Sequence, residues 1–295
     1  MDLTAFAEAV RGDDAVTVTG LGTRGGPVPG ARDVVAPAAI EEVAPAEMTV
    51  RCGAGTPVDE LQAALADVGQ MVALPSGGTV GGALAVGRSG VGRLGHGPVR
   101  DTLLQLRYVA TDGAVVTAGG PTVKNVTGFD LCRLFVGSLG TLGFAGEVIL
   151  RTRPLPACTR WVAGPADPFA LVRRLHRPTA VLWDGVTTWV CLEGHPADVE
   201  AEAAVTGLSE VDGPPPLPTG GRASRPPSSL RSLPWTPGTF VAQVGVGVVH
   251  THEPVEPEAP SAEVVELHRR LKASFDPAGR LNPGISPLRS ALSSR

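Results

Sequence analysis

Apolar and polar residues alternate along the chain in short runs separated by glycines. Ala15-Val16-Thr17-Val18-Thr19 and Met48-Thr49-Val50-Arg51-Cys52 have the period of half-buried strands. A helix is predicted after the second, with Val58, Leu61, Leu65 and Val68 as its apolar stripe. Thr56 and Asp59 read as its capping box, Pro57 suits its first position and Gly69 stops it. A short helix is expected over Ala83 to Val86. Leu103–Ala110 and Ala114–Ala118 flank Thr111-Asp112-Gly113, a strong hairpin signal. Asp130 is placed to cap a short helix ending at Gly137, and Glu147 to Leu150 reads as a strand.

Pro154 and Pro156 mark a boundary, after which the pattern changes. Strand-like pieces remain at Ala180–Trp183, Thr188–Leu192 and Phe240–Val249, with a helix over Ala197–Val205. The eight prolines between Asp212 and Gly238 predict an irregular surface loop. A last helix runs from Ser261 to Phe275 with Val264, Leu267 and Leu271 on one face, and the tail beyond Pro287 looks frayed. The expected organisation is a first domain over 1–153, a small α+β cap over 154–260 containing the proline-rich loop 212–238, and a helix and tail over 261–295.

Composition narrows the class. The 295 residues are 43% hydrophobic and 18% charged, which is globular. The net charge of −4 gives no basic surface for nucleic acid. No run approaches the roughly 18 apolar residues of a membrane span. The start lacks a signal peptide's basic and apolar regions, so the expected location is cytoplasmic. Cys52, Cys132, Cys158 and Cys191 are too scattered for an iron–sulfur or structural zinc site, and no metal is expected.

Glycine carries the chemistry. The 38 Gly and 28 Pro exceed a fifth of the chain, against ~12% in average usage. The glycines cluster after strands, where small residues let backbone amides approach a phosphate. The clusters come in a fixed order: Gly20-Leu21-Gly22-Thr23, then Gly77-Gly78-Thr79-Val80-Gly81-Gly82, then Gly97-Pro98-Val99-Arg100-Asp101 before the hairpin, then Lys124 to Gly143, closed by Phe275-Asp276-Pro277-Ala278-Gly279-Arg280-Leu281-Asn282-Pro283-Gly284. No G-x-G-x-x-G opens a helix with an acid about 20 residues on, which argues against a Rossmann fold.

This series resembles the FAD domain of the p-cresol methylhydroxylase / vanillyl-alcohol oxidase (PCMH) type. The run Lys124–Gly143 is similar to the FAD-binding subunit of bacterial glycolate oxidase. The resemblance implies an α+β fold: two α/β subdomains holding an extended FAD, with a small α+β cap, and residues 261–295 returning to the FAD domain. It assigns Gly22, Thr23, Arg24 and Gly25 to a first pyrophosphate loop and Thr79, Gly81 and Gly82 to a second, with Ser89 and Gly90 nearby. Val99, Arg100 and Asp101 fall to the adenosine and ribityl side. Gly128, Asp130, Leu134, Gly137, Ser138, Gly140, Thr141 and Gly143 pass along FAD, and Asn282 lies near the flavin ring. The first loop lacks the His of covalent members, so FAD is expected to be non-covalent. His96 is expected to cap or pack. The family's terminal P-G-R reads Pro283-Gly284-Ile285 here.

The implied function is a flavin subunit of a 2-hydroxy-acid (glycolate or D-lactate) oxidase or dehydrogenase, with a second flavoprotein and an iron–sulfur subunit as partners. The alternatives are a stand-alone FAD oxidoreductase and a non-catalytic flavin-binding structural subunit. The sequence names no catalytic residue. Arg222, Arg225, Arg231, His250 and His252 are cap candidates for holding a carboxylate or taking a hydroxyl proton, and strand alternation would put His250 and His252 on one face. Lys124 and Asn125 are candidates for touching FAD or substrate.

Overall fold

The computed structural model describes residues 1–121, 130–256 and 259–290. The predicted contacts of Gly128, Lys124 and Asn125 lie outside the described residues. The strands are β1 (Val16–Val18), β2 (Arg32–Val34), β3 (Ile40–Ala44), β4 (Thr49–Gly53), β5 (Gln70–Val72), β6 (Leu103–Val109), β7 (Val115–Gly119), β8 (Phe144–Pro154), β9 (Cys158–Gly164), β10 (Ala180–Trp183), β11 (Thr188–Gly194), β12 (Ser209–Val211), β13 (Gly221–Ser224), β14 (Phe240–Gln243) and β15 (Val248–Thr251). The helices are α1 (Thr4–Val10), α2 (Val58–Ala66), α3 (Val80–Val86), α4 (Arg93–His96), α5 (Leu131–Phe135), α6 (Pro168–Arg174), α7 (Pro196–Thr206) and α8 (Ala262–Phe275), with a final turn over Pro287–Ser290.

Contacts divide the chain into two units. The first comprises Met1–Ser89, Pro98–Leu155 and Pro260–Arg289. Its main sheet has the order β3-β4-β8-β6-β7, with β5 pairing β8, all antiparallel. Val50 lies opposite Leu150, and Cys52 and Leu106 flank Val148, so one face is apolar across three strands. Val58, Leu61 and Leu65 of α2 pack there. Nine residues are too few for a stable isolated helix. Burying three such side chains contributes about 5 kcal/mol, so packing rather than propensity holds α2 in place. The parallel pair β1–β2 has its own small core, where Phe6 and Val10 of α1 meet Val16, Val34, Phe144 and Leu281.

The second unit, Gly90–Gly97 and Pro156–Ala259, is an antiparallel sheet of order β12-β9-β11-β10-β14-β15-β13. Leu171, Leu175, Val199 and Ala203, from the α6 and α7 regions, pack with Val162, Val181, Val190 and Leu192 on one face. Trp183 packs edge-on against Phe169 and Phe240, at 5.7 and 5.6 Å between ring centres.

Four sequence expectations change. The predicted capping box does not form: Thr56 Oγ1 donates to the Ala39 carbonyl, and Asp59 accepts from Gly77 N–H. The Phe240–Val249 run is a hairpin, because Gly245 and Gly247 take left-handed φ and turn the chain. The proline-rich loop contains edge strand β13 and a 3-10 helix over Pro227–Ser232; prolines are tolerated just outside an edge strand. The apolar stripe of α8 is not its buried face: Val264 and Leu267 are 41% and 53% exposed.

Candidate functional site

The glycine clusters of the first unit close into a ring. Gly20 follows β1 and lies against the next cluster, since a Cβ on it would fall 2.9 Å from Thr79 Oγ1. Thr79 caps α3 by accepting from Gly82 N–H at 3.1 Å. At the other end of α3, Gly137 N–H donates to Leu84 and Leu139 N–H to Ala85, at 3.0 and 2.9 Å. Leu139's carbonyl accepts from Asn282 Nδ2 at 2.6 Å, and Asn282 N–H returns to the carbonyl of Val16 in β1 at 2.9 Å.

Arg24 braces the two leading loops. Its guanidinium donates to the carbonyls of Gly77, Ser76 and Pro75, at 2.5, 2.9 and 3.0 Å. Burial holds its pKa below the usual value, against the opposing field of Asp59. A Cβ on Gly78 would collide with Thr23 Oγ1 and Arg24 Nη1, so only glycine lets the loops come this close. Gly81 serves a similar approach: its N–H donates to the Ala54 carbonyl at 2.7 Å, and its Cβ position lies 3.0 Å from Ala54. By contrast, nothing lies within 4 Å of a Cβ at Gly22, Gly25 or Gly137. These three present open backbone.

A second set of contacts fixes the C-terminal side. Lys272 Nζ donates to the carbonyls of Thr141 and Leu281 and to Asp276 Oδ2. Thr141 Oγ1 donates to Ser138 O. Arg280 is buried and donates to the carbonyls of Val10, Asp14 and Thr111. Leu134, Gly137, Ser138 and Thr141 line a cavity of about 360 Å³ together with His268, Lys272 and Leu288.

Comparison with known proteins agrees with this arrangement. Residues 9–119 match the FAD binding domain family, and residues 238–285 match the C-terminal domain family of FAD linked oxidases. Residues 9–119 are thus an FAD binding domain, and the chain resembles PCMH-type FAD-binding proteins. It is 32% identical to glycolate oxidase subunit GlcE of Escherichia coli (strain K12) over 181 residues, 57% of this chain and 52% of GlcE. It is 37% identical to D-lactate dehydrogenase of Archaeoglobus fulgidus over 106 residues, 35% of this chain and 24% of that one. It thus spans about half of GlcE's length or less of these relatives. Among solved structures, alkyldihydroxyacetonephosphate synthase superposes with a TM-score of 0.64 at 16% identity, covering 92% of this chain and 71% of that one, which speaks to the fold.

FAD is the cofactor that the two family matches give this chain, and the ring fits such a group on its own terms. It offers open-sided glycines, and the buried Asn282 Oδ1 takes no hydrogen bond among the described residues. The remaining expected residues fall around it. Val99 is in the core, its N–H donating to Ser89 Oγ at 3.0 Å. Arg100 is exposed, and Asp101 pairs with Arg133, which also pairs with the α5 cap Asp130. A Cβ on Gly143 would meet the Tyr108 ring at 2.6 Å, so this glycine serves packing. Gly90 belongs to the second unit, whereas Ser89 belongs to the first.

In the second unit His96 Nε2 lies 2.6 Å from Glu193 Oε2, so that nitrogen is engaged by a carboxylate. Arg222 stands directly opposite His250 across β13 and β15. Gln243 Nε2 donates to His250 Nε2 at 3.1 Å. His252 lies beyond the end of β15 and is exposed, so strand alternation does not pair it with His250. Arg231 lies 4.2 Å over the Phe169 ring and 3.7 Å from Asp167, and Arg225 lies 6.0 Å from the Trp235 ring. Sequence reasoning missed Lys272, Asp276 and Arg280 as organisers, although all three stand in or beside the terminal motif it singled out.

Proposed function

We propose that this chain is the FAD-binding subunit of a glycolate- or D-lactate-type 2-hydroxy-acid oxidase or dehydrogenase complex. The observation that carries the proposal is the closed ring from β1 through Thr79, α3 and Leu139 to Asn282, which gathers separated glycine clusters around one backbone surface. The likeness to glycolate oxidase subunit GlcE and to D-lactate dehydrogenase supports the substrate class.

Gly22, Thr23 and Gly25 with Thr79, Gly81 and Gly82 would border the pyrophosphate, with Arg24 holding the second loop in shape. Ser89, Gly90, Val99, Arg100 and Asp101 would border the adenosine and ribityl portions. Gly128, Asp130, Leu134, Gly137, Ser138, Gly140, Thr141 and Gly143 would follow the cofactor's length, ending at Asn282. Bound there without a covalent bond, FAD would supply the hydride acceptor for oxidation of a hydroxy acid at its α-carbon.

Electrons would leave through partners, a second flavoprotein and an iron–sulfur subunit, because this chain's four cysteines have no cluster-binding spacing. A cytoplasmic location goes with that role; among the described residues no helix is long and apolar enough to cross a membrane.

Anaerobic titration of the FAD-loaded chain with glycolate and with D-lactate tests the proposal, first alone and then with the partner subunits. Bleaching of the flavin by either acid once partners are present is expected. A flavin that neither acid bleaches in the full assembly would contradict it.

A further inference from the structure

Helix α8 carries an amphipathic pattern that the chain itself does not use. Val264, Leu267 and Leu271 follow the i, i+3, i+7 spacing of a coiled-coil seam. A helix of this length is marginal alone and ordinarily gains its stability by packing such a stripe. Yet none of the 14 residues of α8 is buried. Val264 and Leu267 stand in the open, and Leu271 is half-buried.

The two flanks of the seam differ. On one side His268 lines the cavity and Phe275 packs edge-on against Phe135, so that flank faces the chain's own body. The other flank carries Glu263 and, seven residues on, Arg270, both exposed. Glu263 shares a hydrogen bond with the cap Ser261. Arg269 pairs with Glu266 on another face of the helix, at 2.7 Å, whereas Arg270 has no ion pair among the described residues. The open flank is therefore acidic at one end and basic at the other, beside an exposed apolar stripe. That pattern is complementary to itself when reversed.

We propose that this stripe is the contact between two copies of the chain, with their α8 helices paired antiparallel about a two-fold axis. Such an interface uses the same patch on both subunits. Antiparallel helices set equivalent flanks against each other. Val264 of one copy meets Leu267 of the other, and Glu263 meets Arg270, each contact made twice. A parallel pair would instead set Arg270 against the other copy's Phe275 and leave the charge unanswered. A seam of two turns, about 10 Å long, buries less than the roughly 1,200 Å² of stable complexes, so the dimer is weak, with a dissociation constant on the order of 10 μM.

Sedimentation equilibrium of the purified full chain, from about 1 to 200 μM, tests this on wild type, Leu267→Glu, Arg270→Glu and the double exchange Glu263→Arg with Arg270→Glu. The substituted side chains are all exposed, so melting temperatures should stay close to wild type. Wild type should pass from monomer to dimer across the range, and Leu267→Glu should remain monomeric. Arg270→Glu sets like charges opposite each other twice and should weaken the dimer about tenfold, and the double exchange should return it to within about twofold of wild type. A wild type that is monomeric at the highest concentration, or a dimer that Leu267→Glu leaves intact, would overturn the proposal. So would a double exchange that dimerises no more tightly than Arg270→Glu. If Leu267→Glu instead releases a second flavoprotein subunit from a chain that is monomeric throughout, the stripe belongs to that partner and the proposal falls.

Discussion

Lys272 Nζ sits 2.5 Å from Asp276 Oδ2 across the C-terminal end of α8, and the carboxylate is fully buried. The same carboxylate accepts from the N–H groups of Arg280 and Leu281 and from Thr111 Oγ1. One ion pair therefore joins α8, the β6–β7 turn and the strand of chain that carries Asn282.

Asp276→Asn takes the charge from a fully buried carboxylate on which four donors converge and leaves the 31% exposed Lys272 short of its partner, so it should lower stability by about 2 kcal/mol at neutral pH. Burial alone would raise the Asp276 carboxyl pKa, but the hydrogen bonds from Lys272, Leu281 and Arg280 outweigh it and hold the pKa below 3.8. A depressed folded pKa means that the contribution is complete above the unfolded value and is lost as pH falls through the folded one. Urea midpoints for wild type and Asp276→Asn should stay apart from pH 7 to about 5 and converge below about 4. A constant gap down to pH 3 would contradict the assignment.

Gly140→Ala and Gly22→Ala separate two uses of glycine. Both positions have positive φ, +68° and +70°, but only at Gly140 does the added methyl meet Asn282. Each variant carries a backbone cost of about 1–2 kcal/mol. Gly140→Ala should also break the Asn282–Leu139 bond and release FAD on gel filtration. Gly22→Ala should lose less thermal stability than Gly140→Ala.

Much of the first unit was legible because its signals are local. Thr111-Asp112-Gly113 makes the β6–β7 hairpin, and Asp130 caps α5 by accepting from Arg133 N–H. What was not legible depends on partners distant in sequence. Asp59 looked like a helix cap but holds Gly77, and nothing local in the loop around Arg24 announces that its guanidinium grips three carbonyls about 50 residues away. The α8 periodicity was real, yet the helix docks through Leu271, Lys272 and Phe275 at its last turn. No spacing rule distinguishes an apolar stripe that packs from one that stays exposed.

Arg24→Lys should weaken FAD binding with little change in melting temperature. A lysine is a point donor and cannot span three carbonyls as the planar guanidinium does. We expect roughly a tenfold loss of affinity, the worth of one or two hydrogen bonds, read by fluorescence titration. Unchanged affinity would mean that the loop keeps its shape without the brace.

The thiols offer an independent check of the packing. Burial pushes Cys52 and Cys191 up to about 12 and Cys132 up to about 11, whereas Cys158 is half-buried. Only the thiolate reacts. Disulfide-exchange titration of the native protein at pH 8 should therefore modify Cys158 first, with the other three following only on unfolding.

The central claim is that this chain holds FAD non-covalently in the ring closed by Asn282. The most direct measurement is an absorbance spectrum of the purified protein, reconstituted with FAD if needed, before and after acid precipitation. The account predicts an oxidised-flavin spectrum that passes entirely into the supernatant. A protein that stays colourless after reconstitution, or flavin that remains in the pellet, would contradict it.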